Sequence, residues 1–148
     1  MATWAEFESA SFELATFGHR RLNDRVAYLA TIRPSGSPRV HPVTTRIREG
    51  RLFVRMDRGS PKVKDLVRDP RYSLHSVVRD SSGTDGEFFL AGRARLIEDL
   101  QEREWLERGL TDAGRFVAFE LSVEEALSTV YGGDRAVRHR WRPSKPPA

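Results

Sequence analysis

The sequence predicts a mainly β protein: a closed or nearly closed antiparallel β-barrel with a few flanking α-helices, in a single domain. Segments rich in β-branched and aromatic residues recur at short intervals and are separated by turns containing glycine, proline or aspartate. Only two or three segments show helical periodicity. The 148 residues are enough for one domain with a hydrophobic core and too few for two ordinary domains.

The chain begins with a predicted helix over residues 1–22. Thr3 and Glu6 have the spacing of a capping box. The apolar positions expected to face the rest of the domain are Trp4, Phe7, Phe12, Leu14 and Phe17. We expect this helix to pack as a lid over the barrel.

Three strands joined by tight turns predict an antiparallel meander next, over residues 26–33, 39–47 and 51–56. Gly36, in the turn "PSGS", is placed for a left-handed conformation. Pro42 cannot donate a hydrogen bond within a sheet, so it predicts an edge position or a bulge.

The second half of the chain continues the β pattern. A short helix begins at "GSPK" and should end at Asp69-Pro70. Gly92 predicts a bend in a long strand. The predicted strands are residues 71–78, 87–98, 115–122 and 126–133, with 136–141 as a possible last strand, and a helix spans 99–109. Residues 143–148 are expected to form a flexible tail.

Composition excludes several classes of protein. The chain has no cysteine, which excludes disulfides, thiolate catalysis and sulfur-ligated metal sites. It has no apolar run near the roughly 18 residues of a membrane-spanning helix, and its start is too acidic for a signal peptide. We therefore expect a cytoplasmic protein. Its formal charge of +4 comes from arginines interleaved with acids, which is typical of a solvated surface.

The stretch "RGSPKVKDL", residues 58–66, has two interpretations. Ser60 occupies an N-cap position and Pro61 the first helical position, which explains the pattern as a helix start alone. A helix N-terminus also offers free N–H groups, and Lys62, Arg58 and Arg55 add full positive charges near it. The second interpretation is therefore a phosphate site.

Other kinds of site have weaker support. His19, His41, His75 and His139 lack the close spacing of metal ligands, so no metal site is expected. No G-x-S-x-G motif accompanies Ser60, which argues against a catalytic triad. In "RAVRHRWRPSK", arginines flank Trp141, a pattern that suits nucleic-acid stacking but equally a terminal strand. Nucleic-acid binding is the less favoured interpretation.

Taken in order, residues 26–76 resemble the pyridoxamine 5′-phosphate oxidase-like family of flavin-binding split β-barrels. The resemblance rests on "LATIR", the "PSGSP" turn, "VHPV", "GSPK" and "RDPR". It implies a six-stranded antiparallel split barrel that forms a homodimer. It also implies FMN, or alternatively the deazaflavin F420, bound between the subunits.

The resemblance assigns site residues by position. Ser60, Lys62 and Arg46 match positions near the cofactor phosphate. The positions that match residues lining the cofactor ring are His41, Val43, Thr44, Arg55, Met56 and, less securely, Glu87. No catalytic acid or base is assigned, because hydride transfer to a bound cofactor needs mainly positioning.

The chain departs from the family pattern at two places. Pro61 stands where the oxidases have an arginine, which removes one phosphate ligand. The C-terminal Arg-x-His pattern that recognises pyridoxal phosphate has no counterpart in "RAVRHRWRP". Both departures speak against pyridoxamine phosphate oxidation and favour a relative of the actinobacterial proteins, some of which use F420.

The sequence thus supports three functional hypotheses. The first is an FMN- or F420-dependent oxidoreductase acting on an unidentified small molecule. The second is a non-catalytic protein that stores or senses the cofactor. The third is a cofactor-free barrel that acts as a nucleic-acid-binding module.

Overall fold

The computed structural model describes residues 2–145. Within this range the chain forms eight β-strands and four α-helices. The helices are α1 (Trp4–Ala10), α2 (Phe12–Leu22), α3 (Pro61–Arg68) and α4 (Leu100–Leu106). The strands are β1 (Arg25–Ile32), β2 (Pro38–Arg48), β3 (Arg51–Asp57), β4 (Arg71–Ser76), β5 (Glu87–Leu96), β6 (Phe116–Leu121), β7 (Glu125–Gly132) and β8 (Arg135–Trp141).

Six of the strands close into a barrel, as the sequence predicts. The ring runs β1, β2, β3, β6, β5 and β4, with β4 pairing back onto β1, and every pair is antiparallel. The predicted last strand is present as β8. It extends the sheet outside the ring through its pairing with β7.

β5 is the strand at which the barrel splits. Its residues 87–91 pair with β7, and its residues 94–96 pair with β6. Gly92 lies between the two segments, where a Cβ atom would sit 2.1 Å from the carbonyl oxygen of Ser122. Only glycine allows this approach of the two backbones. The close approach accounts for the glycine, and the bend predicted there stays a prediction.

Pro42 lies on a half-free part of β2. Residues 38–45 of β2 pair with β1, whereas only residues 45–48 pair with β3. The prediction of an edge position is therefore confirmed. Gly36 has a φ of +88°, as the predicted turn requires.

The N-terminal segment covers the barrel as predicted, but as two helices. Trp4 and Phe7 are fully buried and meet edge to face, with ring centroids 5.1 Å apart. Ser11 leaves the helical conformation, with a φ of −147°, and separates α1 from α2. Phe12 follows this break and is 68% exposed, so the prediction that it faces the core is wrong.

A smaller hydrophobic cluster holds α4 against the outer face of the barrel. Phe53, Ile97, Leu106 and Ala118 form it. The helix is shorter than predicted, because residues 107–109 form a turn that ends at Gly109 with a φ of +83°. Similarly, β4 and β5 each end two residues before the predicted bound. The cluster places the end of α4 close to β3.

The last described residues form an irregular segment. Residues 143–145 have no regular secondary structure, and residues 146–148 of the predicted tail lie outside the described residues. Among residues 2–145, no helix is long and apolar enough to cross a membrane.

Candidate functional site

The link between β3 and α3 is organised by Asp57. The backbone N–H of Gly59 donates to the Asp57 carboxylate at 3.1 Å, and that of Ser60 donates to the Asp57 carbonyl at 2.9 Å. Pro61 then begins α3 without needing a partner for a backbone N–H. This turn fixes where Ser60 and the residues after it point.

Ser60 and Lys62 form a hydroxyl–ammonium pair at the start of α3. Ser60 occupies the N-cap position, but its side chain makes no capping hydrogen bond. Instead its Oγ accepts from Lys62 Nζ at 2.9 Å. Burial lowers the pKa of Lys62, and the nearby Asp57 opposes that shift. The pair presents a cationic donor and a hydroxyl at one point, which suits a phosphate group.

Five of the nine predicted site residues line one open pocket of about 340 Å³. They are Val43, Thr44, Arg55, Met56 and Lys62. β2 and β3 supply the first four, and α3 supplies Lys62. Ser60 joins this pocket through its hydrogen bond to Lys62. The structure therefore brings six of the nine predicted residues together.

His41 lies near the same positive region. Its pKa is lowered by burial first, and then by the charges of Lys62, Arg39 and Arg33, while Asp65 opposes the shift. Arg39 is itself held by Asp65, with Nε 2.7 Å from Oδ2. Burial and the surrounding cations thus both disfavour the charged form of His41.

Arg55 is held rigidly between β3 and the end of α4. Its Nε lies 3.0 Å from Glu107 Oε1, and its Nη2 donates to the Thr111 carbonyl. Its guanidinium carbon lies 4.6 Å from the centroid of the Phe116 ring. Arg103 also contacts Glu107, at 2.9 Å. These contacts place Arg55 in the pocket wall with little freedom to move.

Arg46 lies beside the pocket rather than in its lining. Its Nε is 3.5 Å from Asp24 Oδ1, and this buried nitrogen has no hydrogen-bond partner. Burial lowers the pKa of Arg46, the Asp24 carboxylate opposes that shift, and the charges of Arg48 and Arg55 lower it further. Arg46 therefore adds a positive charge beside the pocket, while its Nε is enclosed by the protein.

Glu87 lies apart from these residues within the chain. Its carboxylate accepts a hydrogen bond from Tyr131 Oη at 3.1 Å and lies 4.0 Å from His75 Nε2. It lines a different pocket, formed with the loop at residues 78–83.

Three residues that the prediction did not assign also line the 340 Å³ pocket: Val26, Pro42 and Asp57. The Asp57 carboxylate is held ionised, because the N–H of Gly59 and the Arg115 guanidinium lower its pKa. Its one sequence signal was its place at the end of a strand, directly before the glycine-serine turn. Val26 is 47% exposed, unusual for valine, and lies at the start of β1.

The fold is shared with solved structures. A pyridoxamine 5′-phosphate oxidase-related, FMN binding protein from Nostoc punctiforme superposes with a TM-score of 0.71 at 17% identity, covering 95% of this chain and 92% of that one. PhzG from Burkholderia lata, solved with tetrahydrophenazine-1-carboxylic acid, gives 0.60 at 15% identity, with 95% and 93% covered. The heme storage protein HutZ from Vibrio cholerae gives 0.58 at 18% identity, with 77% and 89% covered.

The sequence itself matches a known family. No match was found among curated proteins. The family described as "Pyridoxamine 5′-phosphate oxidase" matches residues 19–129, which include the six barrel strands and α3. Since this is well over half of the chain, the protein belongs to the pyridoxamine 5′-phosphate oxidase family and has its FMN-binding split-barrel fold.

Proposed function

We propose that the protein is an FMN-dependent oxidoreductase, with F420 as the alternative cofactor, that transfers hydride to or from a small molecule. The observation that carries the proposal is the Lys62–Ser60 pair, which borders a pocket lined by five of the residues that the family resemblance assigns. Both lie within the segment that matches the family.

The residues present fit a cofactor phosphate. Lys62 supplies a charge and Ser60 a hydroxyl, and the Arg46 guanidinium adds a positive charge beside the pocket. Asp57 adds a negative charge to the same pocket, but Arg115 lies 3.1 Å from it and offsets that charge. Since FMN and F420 both carry a phosphate on a ribityl chain, these residues suit either cofactor.

The chain's own residues would bind and position, while the cofactor ring supplies the hydride chemistry. Val43 and Met56 are buried apolar residues of the pocket wall, suited to contact one side of a planar ring. Arg55, fixed by Glu107, places a permanent positive charge in that wall. Because Arg55 and Arg103 share the one carboxylate of Glu107, a net positive charge remains there, and it would stabilise negative charge on a bound cofactor ring.

A homodimer would close the open pocket. β1 and the segment after β4 carry exposed apolar residues beside it: Val26, Tyr28, Val77 and Val78. Val40, on the adjoining β2, is 62% exposed. Monomeric proteins seldom leave such a row in water. We propose that this face pairs with a second copy and that the cofactor lies between the two.

The other hypotheses have less support. A storage or sensing protein would use the same pocket without turnover, so only an activity assay separates it from an oxidoreductase. The nucleic-acid hypothesis required a free Trp141 ring. That ring packs against Phe7, with centroids 4.9 Å apart.

The deciding experiment is direct. The purified protein is inspected for a visible absorption band, titrated with FMN and F420 by fluorescence, and mixed with NAD(P)H or reduced F420 in a stopped-flow instrument. We expect binding of one cofactor and its reversible reduction. Binding without reduction or turnover would establish the storage hypothesis instead, and failure to bind either cofactor would refute the proposal.

A further inference from the structure

A second cavity, of about 450 Å³, lies beside the proposed cofactor pocket. It is bounded by the C-terminal end of α2, the start of β1 and the loop that joins β4 to β5. Val26 lines both cavities, so they adjoin at the outer face of β1.

The wall of this cavity is strongly basic. Arg20, Arg21, Arg25 and Arg79 line it, and Asp85 is the one carboxylate among its lining residues. Arg79 Nη1 donates to Asp85 Oδ2 at 2.6 Å, so this carboxylate is already paired. The four guanidinium groups and one carboxylate leave an excess of three positive charges.

Arg21 is fixed in place by backbone carbonyls. Its Nη1 donates to the Phe17 carbonyl at 2.9 Å and its Nε to the Asp85 carbonyl at 3.0 Å. Its guanidinium carbon lies 3.3 Å from the centroid of the Phe17 ring. No carboxylate neutralises it among these contacts. Arg21 therefore ties the loop to α2 while keeping its charge at the cavity.

Arg20 and Arg25 carry charge without an ion-pair partner in the described part of the chain. Burial lowers the pKa of Arg21, the Asp85 carboxylate opposes that shift, and the nearby charges of Arg20 and Arg25 lower it further. Arg20 lies in the last turn of α2, where a cation favours the helix dipole. That effect does not account for Arg25 or Arg79, which lie outside the helix.

The cavity also has an apolar part. Val26 and Val77 line it, and each is 47% exposed. Both also belong to the face proposed to pair with a second copy, so the cavity would open at that interface. A cavity of this size, with apolar residues and convergent cations, suits a small organic molecule that carries an acidic group. Arginine binds carboxylate and phosphate groups through paired N–H donors.

We propose that the arginine-lined cavity binds the acidic group, a carboxylate or a phosphate, of the enzyme's small-molecule substrate. Its assignment to the substrate rests on the proposed function, since the cavity adjoins the cofactor pocket through Val26. The apolar part would then direct the rest of the substrate towards the cofactor.

The test measures anion binding to the cofactor-free protein by NMR titration at constant ionic strength. The probes are succinate and inorganic phosphate, with neutral 1,4-butanediol as the matched control. The amide signals of Thr84 and Gly86 report this cavity and distinguish it from the start of α3, where phosphate also has partners. The variants are Arg25→Gln and the double variant Arg20→Gln/Arg25→Gln. Arg93→Gln is the control: it removes the same charge from a part of β5 that does not line this cavity.

Succinate or phosphate should shift these signals in the wild-type protein. The anion that binds with the higher affinity indicates whether the substrate's acidic group is a carboxylate or a phosphate. We expect at least a fivefold weaker affinity in Arg25→Gln, a further loss in the double variant, and no change in Arg93→Gln. Equal binding by all variants, or none by the wild type, would overturn the proposal. FMN and F420 titrations of the same samples test the proposed function separately from anion binding by the cavity. If anions bind as expected but neither cofactor does, the proposed function fails, and the substrate assignment fails with it.

Discussion

Lys62 is a half-buried cation whose hydrogen bond goes to a hydroxyl group rather than to a carboxylate. Its charge is therefore not neutralised by that partner. Burial lowers its pKa, so part of the cost of desolvating the ammonium group is already present before any ligand binds. An anion placed here would recover this cost, which is why Lys62 is the strongest candidate for the phosphate contact.

Replacing Lys62 with alanine should weaken FMN or F420 affinity by about 1.5–3 kcal/mol, the range for a charged hydrogen bond. Fluorescence titration measures the change. Lys64→Ala is the matched control, because Lys64 is exposed on the same helix and carries the same charge. Equal affinities for the two variants would place the phosphate elsewhere.

His41 should make the protein's stability depend on pH. Its folded-state pKa lies below the ordinary value of 6.5, so the unfolded chain binds more protons and stability falls as pH drops below about 6.5. His41→Gln should flatten this dependence in chemical denaturation curves. Binding of a phosphate beside Lys62 should raise the pKa of His41, which NMR titration detects. A His41 pKa above 6.5 in the free protein would contradict this account.

At the scale of the element, α4 and the turn after it fix part of the pocket from outside the barrel. Glu107 is buried and bridges Arg55 of β3 and Arg103 of α4. The geometry of the pocket wall thus depends on a turn that contributes no residue to its lining.

Glu107→Gln should therefore destabilise the protein by about 3–5 kcal/mol, because it leaves two buried guanidinium groups without their counter-charge. Urea denaturation measures the loss. Glu104→Gln, exposed on α4, is the control and should leave stability unchanged. A loss as small as that of the control would mean that water replaces the carboxylate.

The elements also show what sequence patterns can and cannot predict. Strand positions followed from local alternation and from turn residues such as Gly36, so they were largely predictable. The break at Ser11 was not, because Phe12 and Phe17 suggested one continuous apolar face. Before the break, α1 contacts the turn between β2 and β3, where the N–H of Ala5 donates to the Gly50 carbonyl at 2.9 Å. That contact joins distant parts of the chain and leaves no local signal.

At the scale of the whole molecule, we expect the apolar face around Tyr28 to decide the oligomeric state. Tyr28→Glu should convert a dimer into a monomer in light-scattering measurements and also weaken cofactor binding. Trp105→Glu is the control, since Trp105 is 41% exposed against 44% for Tyr28 but lies on α4. A monomeric wild-type protein, or a Tyr28→Glu protein that remains dimeric, would refute the proposed interface.

The sequence predicted those site residues that come from consecutive strands and the helix after them. Val43, Thr44, Arg55, Met56 and Lys62 meet because a meander and the following helix bring nearby sequence together. Glu87 comes after a long loop, and its surroundings depend on β7, whose Tyr131 is its hydrogen-bond partner. The cavity around Arg25 combines three separate elements, so no contiguous motif announces it.

β5 pairs with β7 along one half and with β6 along the other, which separates the closed six-stranded ring from the β7–β8 hairpin. Each strand of the six-stranded ring is hydrogen-bonded to a neighbouring strand on both sides, so opening the barrel at any point breaks a strand pairing. The β7–β8 hairpin lies outside the closed ring, and its β7 strand pairs with residues 87–91 of β5. Its outer part, residues 130–140, is exposed and can change its surface residues while the barrel stays intact, whereas Ala126 and Trp141 anchor its other end to the main hydrophobic core. The exposed arginines of β8 therefore form a basic surface that can be altered without opening the ring.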